Sequence, residues 1–299
     1  MTFEQVYFKG QRILKEANIP DFAFDARCIF EHCFKIKRMD LALYRSRSVP
    51  SNLSDLFFRM ISDRQNHRPL QYILGQWDFM GNTFKVGEGV LIPRDDTEVL
   101  VNIAHREFEK YIKHKSVKVP TAVDLCSGSG VIAITLAKKF PFAKFIAVEF
   151  SDIALNFLQE NVRLNNVSNV IPLKFDVLRN DRLNFLHQVK NVTDLNDVKF
   201  DLIVSNPPYI KTSEIKSLQL EVQKEPIMAL DGGADGLEFY KSILYNWSHL
   251  LKQNASLYVE IGFAQKNSVI ELFEEAKFEN IKAFKDINGL NRVISGRKA

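Results

Sequence analysis

Leu53, Leu56, Phe57, Met60 and Ile61 recur at i, i+3, i+4, i+7 and i+8, one apolar stripe on one helix. Phe3, Val6, Tyr7, Ile13 and Leu14 repeat the pattern in a helix that closes near Pro20, and Phe22 to Phe34 predicts a third. The first ~75 residues therefore read as a small helical bundle. From Trp77 to Ile92 the period changes. Gly81, Gly87 and Gly89 punctuate β-prone runs at Thr83–Val86 and Val90–Ile92, which predict a hairpin linking two bodies. Asp95 with Glu98 has the spacing of a capping box for a helix through Val99, Val101 and Ile103.

Beyond Pro120 short apolar runs alternate with helical stretches: Ala122–Leu125, Phe145–Glu149, Val170–Phe175, Phe200–Ser205, Leu257–Ile261, Ile281–Phe284 and Val293–Ser295. That alternation predicts an α/β fold with a parallel sheet covered by helices on both faces. The polar stretch from His187 to Lys199 reads as a surface loop.

Composition narrows the class. At 299 residues, 46% hydrophobic and 24 Phe, the chain can bury a large core and a smaller companion, which excludes wholesale disorder. A formal net charge of +4 is too small for a charge-driven nucleic-acid wrapper, so no stable nucleic-acid binding is expected. Residues 1–80 hold twelve Lys and Arg against nine Asp and Glu, with Lys35, Lys37, Arg38, Arg45 and Arg47 clustered; a solvated face is the simplest reading. Cys28, Cys33 and Cys126 are odd in number and lack CxxC spacing, which argues against a disulfide framework and a zinc site. No apolar run reaches membrane-spanning length and no signal segment opens the chain, so a cytoplasmic protein without membrane attachment is expected.

Chemistry concentrates at the carboxyl ends of the predicted strands. Asp124-Leu-Cys-Ser-Gly-Ser-Gly130 lies between a strand and a helix, where open α/β sheets bind nucleotides. Gly128 and Gly130 permit close backbone approach, and helix-end N–H groups face the ligand. Glu149 ends the second strand 21 residues after Gly128, placed to accept from both hydroxyls of a ribose. Asp176, ending the third, can accept from an adenine amino group. The fourth strand runs into Asn206-Pro207-Pro208-Tyr209. Two prolines delete two N–H donors and leave carbonyls that only accept. Asn206 adds a side-chain carbonyl, and Tyr209 a flat face for stacking. Such a wall suits a planar nitrogen bearing two N–H bonds, a carboxamide or a base amine, held with its lone pair toward an electrophilic methyl.

These segments resemble the class I S-adenosylmethionine-dependent methyltransferases of the HemK/PrmC type, which methylate the glutamine amide of peptide chain release factors. The likeness spans nearly the whole chain. It runs through Arg68–Gly75, Leu91–Glu98, the glycine loop, the tetrapeptide at 206–209, Glu225-Pro226, Ala229–Leu237 and Glu260–Gly262. It implies a helical substrate-recognition domain over 1–75, a hairpin linker over 76–93 and a Rossmann-like seven-stranded methyltransferase domain over 94–299. It also implies a Gly-Gly-Gln loop as target. By position, the cofactor loop falls on Asp124, Cys126, Ser127, Gly128, Ser129 and Gly130, the ribose acid on Glu149, the adenine side on Asp176 and Val177, and the target clamp on Asn206, Pro207, Pro208 and Tyr209. Three positions depart from the family pattern: Cys126 where Gly is frequent, Glu149 where Asp is frequent, and Val177 where an aromatic is frequent.

Other readings fit less of the chain. A ribosomal-protein glutamine methyltransferase would share the site. An adenine-DNA methyltransferase would need a basic groove and base flipping. A nicotinamide oxidoreductase would explain the glycines and Glu149 but leave the tetrapeptide without a role, and a silent binding protein would leave turnover absent.

Overall fold

The computed structural model describes residues 1–193 and 198–299. It divides into two compact units, Met1–Gln76 with Gln219–Lys224, and Trp77–Leu218 with Glu225–Ala299.

In the first unit, α1 (Phe3–Glu16) starts from a capping box in which Thr2 and Gln5 satisfy each other's backbone N–H groups. It is followed by α2 (Phe22–Phe34), α3 (Leu41–Tyr44), α4 (Ser51–Gln65) and α5 (Leu70–Leu74). Phe3, Tyr7, Phe30, Phe34 and Phe57 meet mostly edge-on in the core, with Phe3 and Phe34 centroids 5.2 Å apart. A Cβ at Gly10 would lie 2.6 Å from the Phe57 ring, so only glycine lets α1 and α4 approach this closely. Of the predicted α4 stripe, Phe57, Met60 and Ile61 are buried, whereas Leu56 falls at its exposed edge. Arg64 is buried between Asp25 at 2.6 Å and Glu221 at 2.9 Å, which fastens Gln219–Lys224 into this unit.

The second unit starts at Trp77, within β1 (Gln76–Phe79), which is followed by β2 (Asn82–Lys85). This hairpin corrects the one expected from the sequence: Thr83–Lys85 is a strand, but its partner lies upstream, and Val90–Ile92 is irregular. The reason is the turn. Met80 and Gly81 both have positive φ, +48° and +74°, the twist-matched geometry of a two-residue hairpin.

Helix α6 (Thr97–Lys115) has Asp96, not Asp95, at its N-cap position, and the expected capping box does not form. Asp96 has helical φ and ψ, and its carboxylate is engaged by Arg292 at 3.1 Å. Then come β3 (Thr121–Leu125), α7 (Val131–Lys139), β4 (Lys144–Glu149), α8 (Asp152–Leu164), β5 (Val170–Lys174), α9 (Arg182–Val192), β6 (Phe200–Ser205), α10 (Glu238–Ser242), β7 (Leu251–Glu260), α11 (Lys266–Glu275), β8 (Phe278–Lys285) and β9 (Asn291–Lys298). Helix α9 replaces the first half of the expected loop, with Phe185 and Val189 buried one turn apart; residues 194–197 of that loop lie outside the described residues.

The seven-stranded sheet has the order β5-β4-β3-β6-β7-β9-β8. It is mixed rather than wholly parallel, because β9 runs antiparallel to both β7 and β8. A short turn explains this: Asp286 accepts the N–H groups of Asn288 and Leu290, and a connection so brief can join only antiparallel strands. Apolar layers cover both faces, one around Phe185, Phe200, Trp247 and Phe273, the other around Leu100, Phe108, Ile134 and Leu158. The parallel half leaves the carboxyl ends of β3, β4, β5 and β6 side by side, and those four ends hold the candidate site. No helix among the described residues is long and apolar enough to cross a membrane.

Candidate active site

The loop leaving β3 coils tightly. Ser127 donates its hydroxyl to the Asp124 carbonyl and its N–H to Val148, while Gly130 N–H returns to the Ser127 carbonyl at 2.8 Å. Cys126, Gly128 and Gly130 all take positive φ. The two glycines serve different needs. A Cβ at Gly130 would fall 2.3 Å from Leu158 Cδ1, so this glycine lets α8 pack against the loop; a Cβ at Gly128 would meet nothing within 4 Å. Asp124 Oδ2 accepts the Ala133 N–H in the first turn of α7 at 3.2 Å, and burial pushes this carboxyl up to about 8. The carbonyl of buried Ser129 accepts from Asn161 Nδ2 at 2.9 Å.

Glu149, ending β4, accepts Gly128 N–H through Oε2 and Ser151 N–H through Oε1, both at 2.8 Å. Burial raises its carboxyl above the ordinary range, and these backbone donors oppose the shift. The Phe150 N–H adds a third backbone donor to this carboxylate. Cys126 lies against the same acid, and burial together with the Glu149 and Asp124 charges pushes its thiol well up, away from nucleophilic form.

A cleft of about 550 Å³ opens here. Its walls include Cys126 and Gly128 from the loop, Glu149 from the end of β4, Asp176 and Val177 from the segment just after β5, and Asn206 and Pro208 from the tetrapeptide after β6. The remaining sequence-predicted residues stand behind these walls: Asp124, Ser127 and Ser129 are buried, Gly130 is packed under α8, and Pro207 is buried. Tyr209 does not wall the cleft; burial and the neighbouring Glu260 raise its phenol above the usual value. Asp176 accepts the Leu178 N–H at 2.9 Å, and the Val177 carbonyl is held by Ser242 and Trp247.

Sequence reasoning missed two further lining segments, Gly89–Leu91 and Ile227–Ala229. Ile227 and Met228 are 61% and 48% exposed, large apolar side chains left at the rim. Their only signal was a place beside Glu225-Pro226. Glu225 is buried, pairs with Arg94 and accepts the Ile92 N–H at 3.0 Å, which ties the two missed segments together.

The tetrapeptide is braced from the back. Ile210 N–H donates to Leu230 and Gly232 N–H to Ile210, forming a parallel bridge between Ile210 and Asp231. A Cβ at Gly232 would lie 2.7 Å from Tyr209 Cα, and one at Gly236 would lie 2.6 Å from the Tyr209 carbonyl oxygen. Gln265 Nε2 donates to that same carbonyl at 2.9 Å. Asn206 donates Nδ2 to Thr97 Oγ1 at 3.0 Å, and Thr97 donates its hydroxyl to the buried Glu260 carboxylate at 2.7 Å. Burial pushes Glu260 up to about 7, against the Thr97 hydrogen bond and the Arg292 charge. Thr97 thus takes up one N–H of the Asn206 amide, whose residue also lines the cleft.

Residues 5–75 match the family model described as the PrmC N-terminal domain, and residues 108–225 match the methyltransferase small domain. A release factor glutamine methyltransferase of Clostridium botulinum (strain Hall) is 34% identical over 299 residues, covering 100% of both chains. One from Geobacter sulfurreducens is 38% identical over 260 residues, covering 86% of this chain and 84% of that protein. The solved hMettl16 catalytic domain in complex with MAT2A 3′UTR hairpin 1 is similar in fold, with a TM-score of 0.53, 16% identity, and coverage of 93% and 91% of the two chains. The chain therefore belongs to the release factor glutamine methyltransferase family, whose members are S-adenosylmethionine-dependent enzymes built on the class I methyltransferase fold.

Proposed function

We propose that this chain transfers a methyl group from S-adenosylmethionine to the side-chain amide nitrogen of the glutamine in the Gly-Gly-Gln loop of a peptide chain release factor. One observation carries the reading. Asn206 and Pro208 wall the cleft beside Glu149, and the Asn206 amide nitrogen is turned away toward Thr97. A wall of acceptors suits an NH₂ group and repels a carbonyl or a carboxylate.

The residues present fit the cofactor. Glu149 lines the cleft as an acid with acceptor capacity for a ribose hydroxyl, Gly128 leaves open space where backbone must approach a ligand, and Asp176 with Val177 offers an acceptor beside an apolar surface for the adenine. When bound, S-adenosylmethionine supplies an electrophilic sulfonium methyl.

Asn206 Oδ1 accepts one N–H group of the target amide and a backbone carbonyl of the tetrapeptide accepts the other, which fixes the plane of the nitrogen and aims its lone pair. As the nitrogen gains a bond its N–H groups become more acidic, and these acceptors stabilise the developing positive charge without moving. Pro207 and Pro208 make the acceptors rigid. The proton departs after transfer, so no strong base is required. Residues 1–75 are proposed to recognise the substrate protein, with 76–93 as linker and 94–299 as the catalytic domain.

Labelled S-adenosylmethionine, offered with release factor, ribosomal proteins and DNA, should label the Gly-Gly-Gln glutamine alone, located by mass spectrometry. Asn206→Ala should lower kcat roughly 100- to 1,000-fold while cofactor affinity changes little. Label on DNA or on a ribosomal protein would sink the substrate assignment.

A further inference from the structure

We infer that Thr97 and Glu260 are positioning residues that hold the Asn206 carboxamide with its nitrogen inward and its oxygen toward the cleft. The inference rests on the reading of Asn206 as an acceptor and adds how that polarity is imposed.

A threonine hydroxyl has one proton to give and two lone pairs. An ionised carboxylate only accepts, so the Thr97 hydroxyl must donate its hydrogen bond to Glu260, 2.7 Å away. The lone pairs left on Oγ1 can then only accept, and the Asn206 atom 3.0 Å away must be the NH₂ end. A flipped amide would set two acceptor oxygens against each other. The chain Glu260, Thr97, Asn206 thus converts one buried charge into the direction of an amide dipole, across elements that are distant in sequence.

Neutralising Glu260 would release the constraint. A protonated Glu260 can donate to Thr97, which frees the hydroxyl to donate onward, and the Asn206 oxygen can then swing inward. The clamp would present N–H groups to an N–H substrate. The groups facing Glu260 are Thr97 and Asp96 at the start of α6, Arg292 on β9, Tyr209 after β6 and Tyr240 on α10. Their balance with burial leaves this carboxyl at about 7. The ionised, competent form is therefore lost as pH falls through about 7 and is present above it.

The test uses the full chain with S-adenosylmethionine and intact release factor. Thr97→Val, which keeps shape and loses the hydroxyl, should lower kcat roughly 10- to 100-fold with the cofactor Kd unchanged, and Thr97→Ser should restore most of the rate. The wild-type kcat should fall on the acid side with an apparent pKa near 7, and Glu260→Gln should abolish that acid limb. An independent readout needs no turnover. The Asn206 side-chain NH₂ protons, assigned in nitrogen-15 spectra by their loss in Asn206→Asp, should exchange slowly in the wild type and fast in Thr97→Val. If Thr97→Val fails to fold, the Thr97→Ser spectrum and the Glu260→Gln pH profile carry the decision. Wild-type kcat in Thr97→Val, an acid limb surviving in Glu260→Gln, or fast NH₂ exchange in the wild type would overturn the relay. Slow NH₂ exchange without methylation of release factor would instead uphold the relay and overturn the proposed substrate.

Discussion

The carboxylate of Glu149 accepts the backbone N–H of Gly128 at 2.8 Å, so the acid at the end of β4 also fastens the glycine loop that follows β3. The longer Glu, where the family pattern often has Asp, reaches Gly128 and Ser151 together.

Glu149→Gln should therefore act twice. One amide nitrogen replaces an acceptor, so either Gly128 or Ser151 loses its partner, and the charged acceptor for the ribose is gone. Hydrogen bonds to a charged group contribute about 1.5–3 kcal/mol, so the S-adenosylmethionine Kd should rise roughly 10- to 150-fold by calorimetry, with Tm falling slightly. An unchanged Kd would remove Glu149 from the cofactor site.

Gly232→Ala probes the brace behind the tetrapeptide. The added Cβ would lie 2.7 Å from Tyr209 Cα and 2.9 Å from the Pro208 carbonyl oxygen, both backbone, so neither neighbour can yield cheaply. Overpacking of this kind costs about 1–3 kcal/mol. Chemical denaturation should show that loss, and kcat should fall more than cofactor affinity, since the displaced backbone belongs to the clamp. Wild-type kcat would show that the tetrapeptide tolerates displacement.

Asp124 predicts a pH dependence of stability. Burial pushes its carboxyl up to about 8 from 3.8, so folding takes up a proton over that interval. Its contribution is complete below about 4 and is lost as pH rises through about 8. Asp124→Asn keeps an oxygen for the Ala133 N–H and cannot ionise. The cofactor-free variant should lose less Tm than wild type between pH 5 and pH 9; parallel curves for the two proteins would contradict the shift.

Arg64→Met should be severe for a different reason. It strands buried Asp25, which Arg64 meets at 2.6 Å, and leaves Glu221 with His67 alone at 3.2 Å. Breaking a buried pair by removing one partner costs about 3–5 kcal/mol. Burial raises the Asp25 carboxyl even beside Arg64, so the penalty in urea titrations should shrink as pH falls and Asp25 is neutralised. Adding Asp25→Asn should recover part of it at neutral pH. A penalty that grows in acid would show that Asp25 is not the stranded group.

Elements with a strong local signal were legible in the chain. β6 was read at its observed limits because all six residues are buried, and α2 because it is bounded by Asp21 and Lys35 with six buried positions between. The hairpin was misread because its turn depends on Met80 adopting positive φ, which a methionine does not announce. The antiparallel insertion of β9 depends on strand pairing, which apolar runs do not encode. Thr97 and Glu260 lay inside quoted motifs yet showed no partnership, because their hydrogen bond spans 163 residues. Gly232 and Gly236 lie in the Ala229–Leu237 stretch, but their bracing of Tyr209 rests on a tertiary approach that local spacing does not encode.

Residues 219–224 belong with the helices of the first unit although 218 and 225 do not. The backbone thus enters that unit twice, once at the amino terminus and once as a hexapeptide stitched in by Arg64. A single cut near residue 76 would leave the stitch in place, and a helical module borrowed from a relative would arrive without its sixth strut. Moving this helical unit between members of the family calls for transplanting two stretches of chain as a pair.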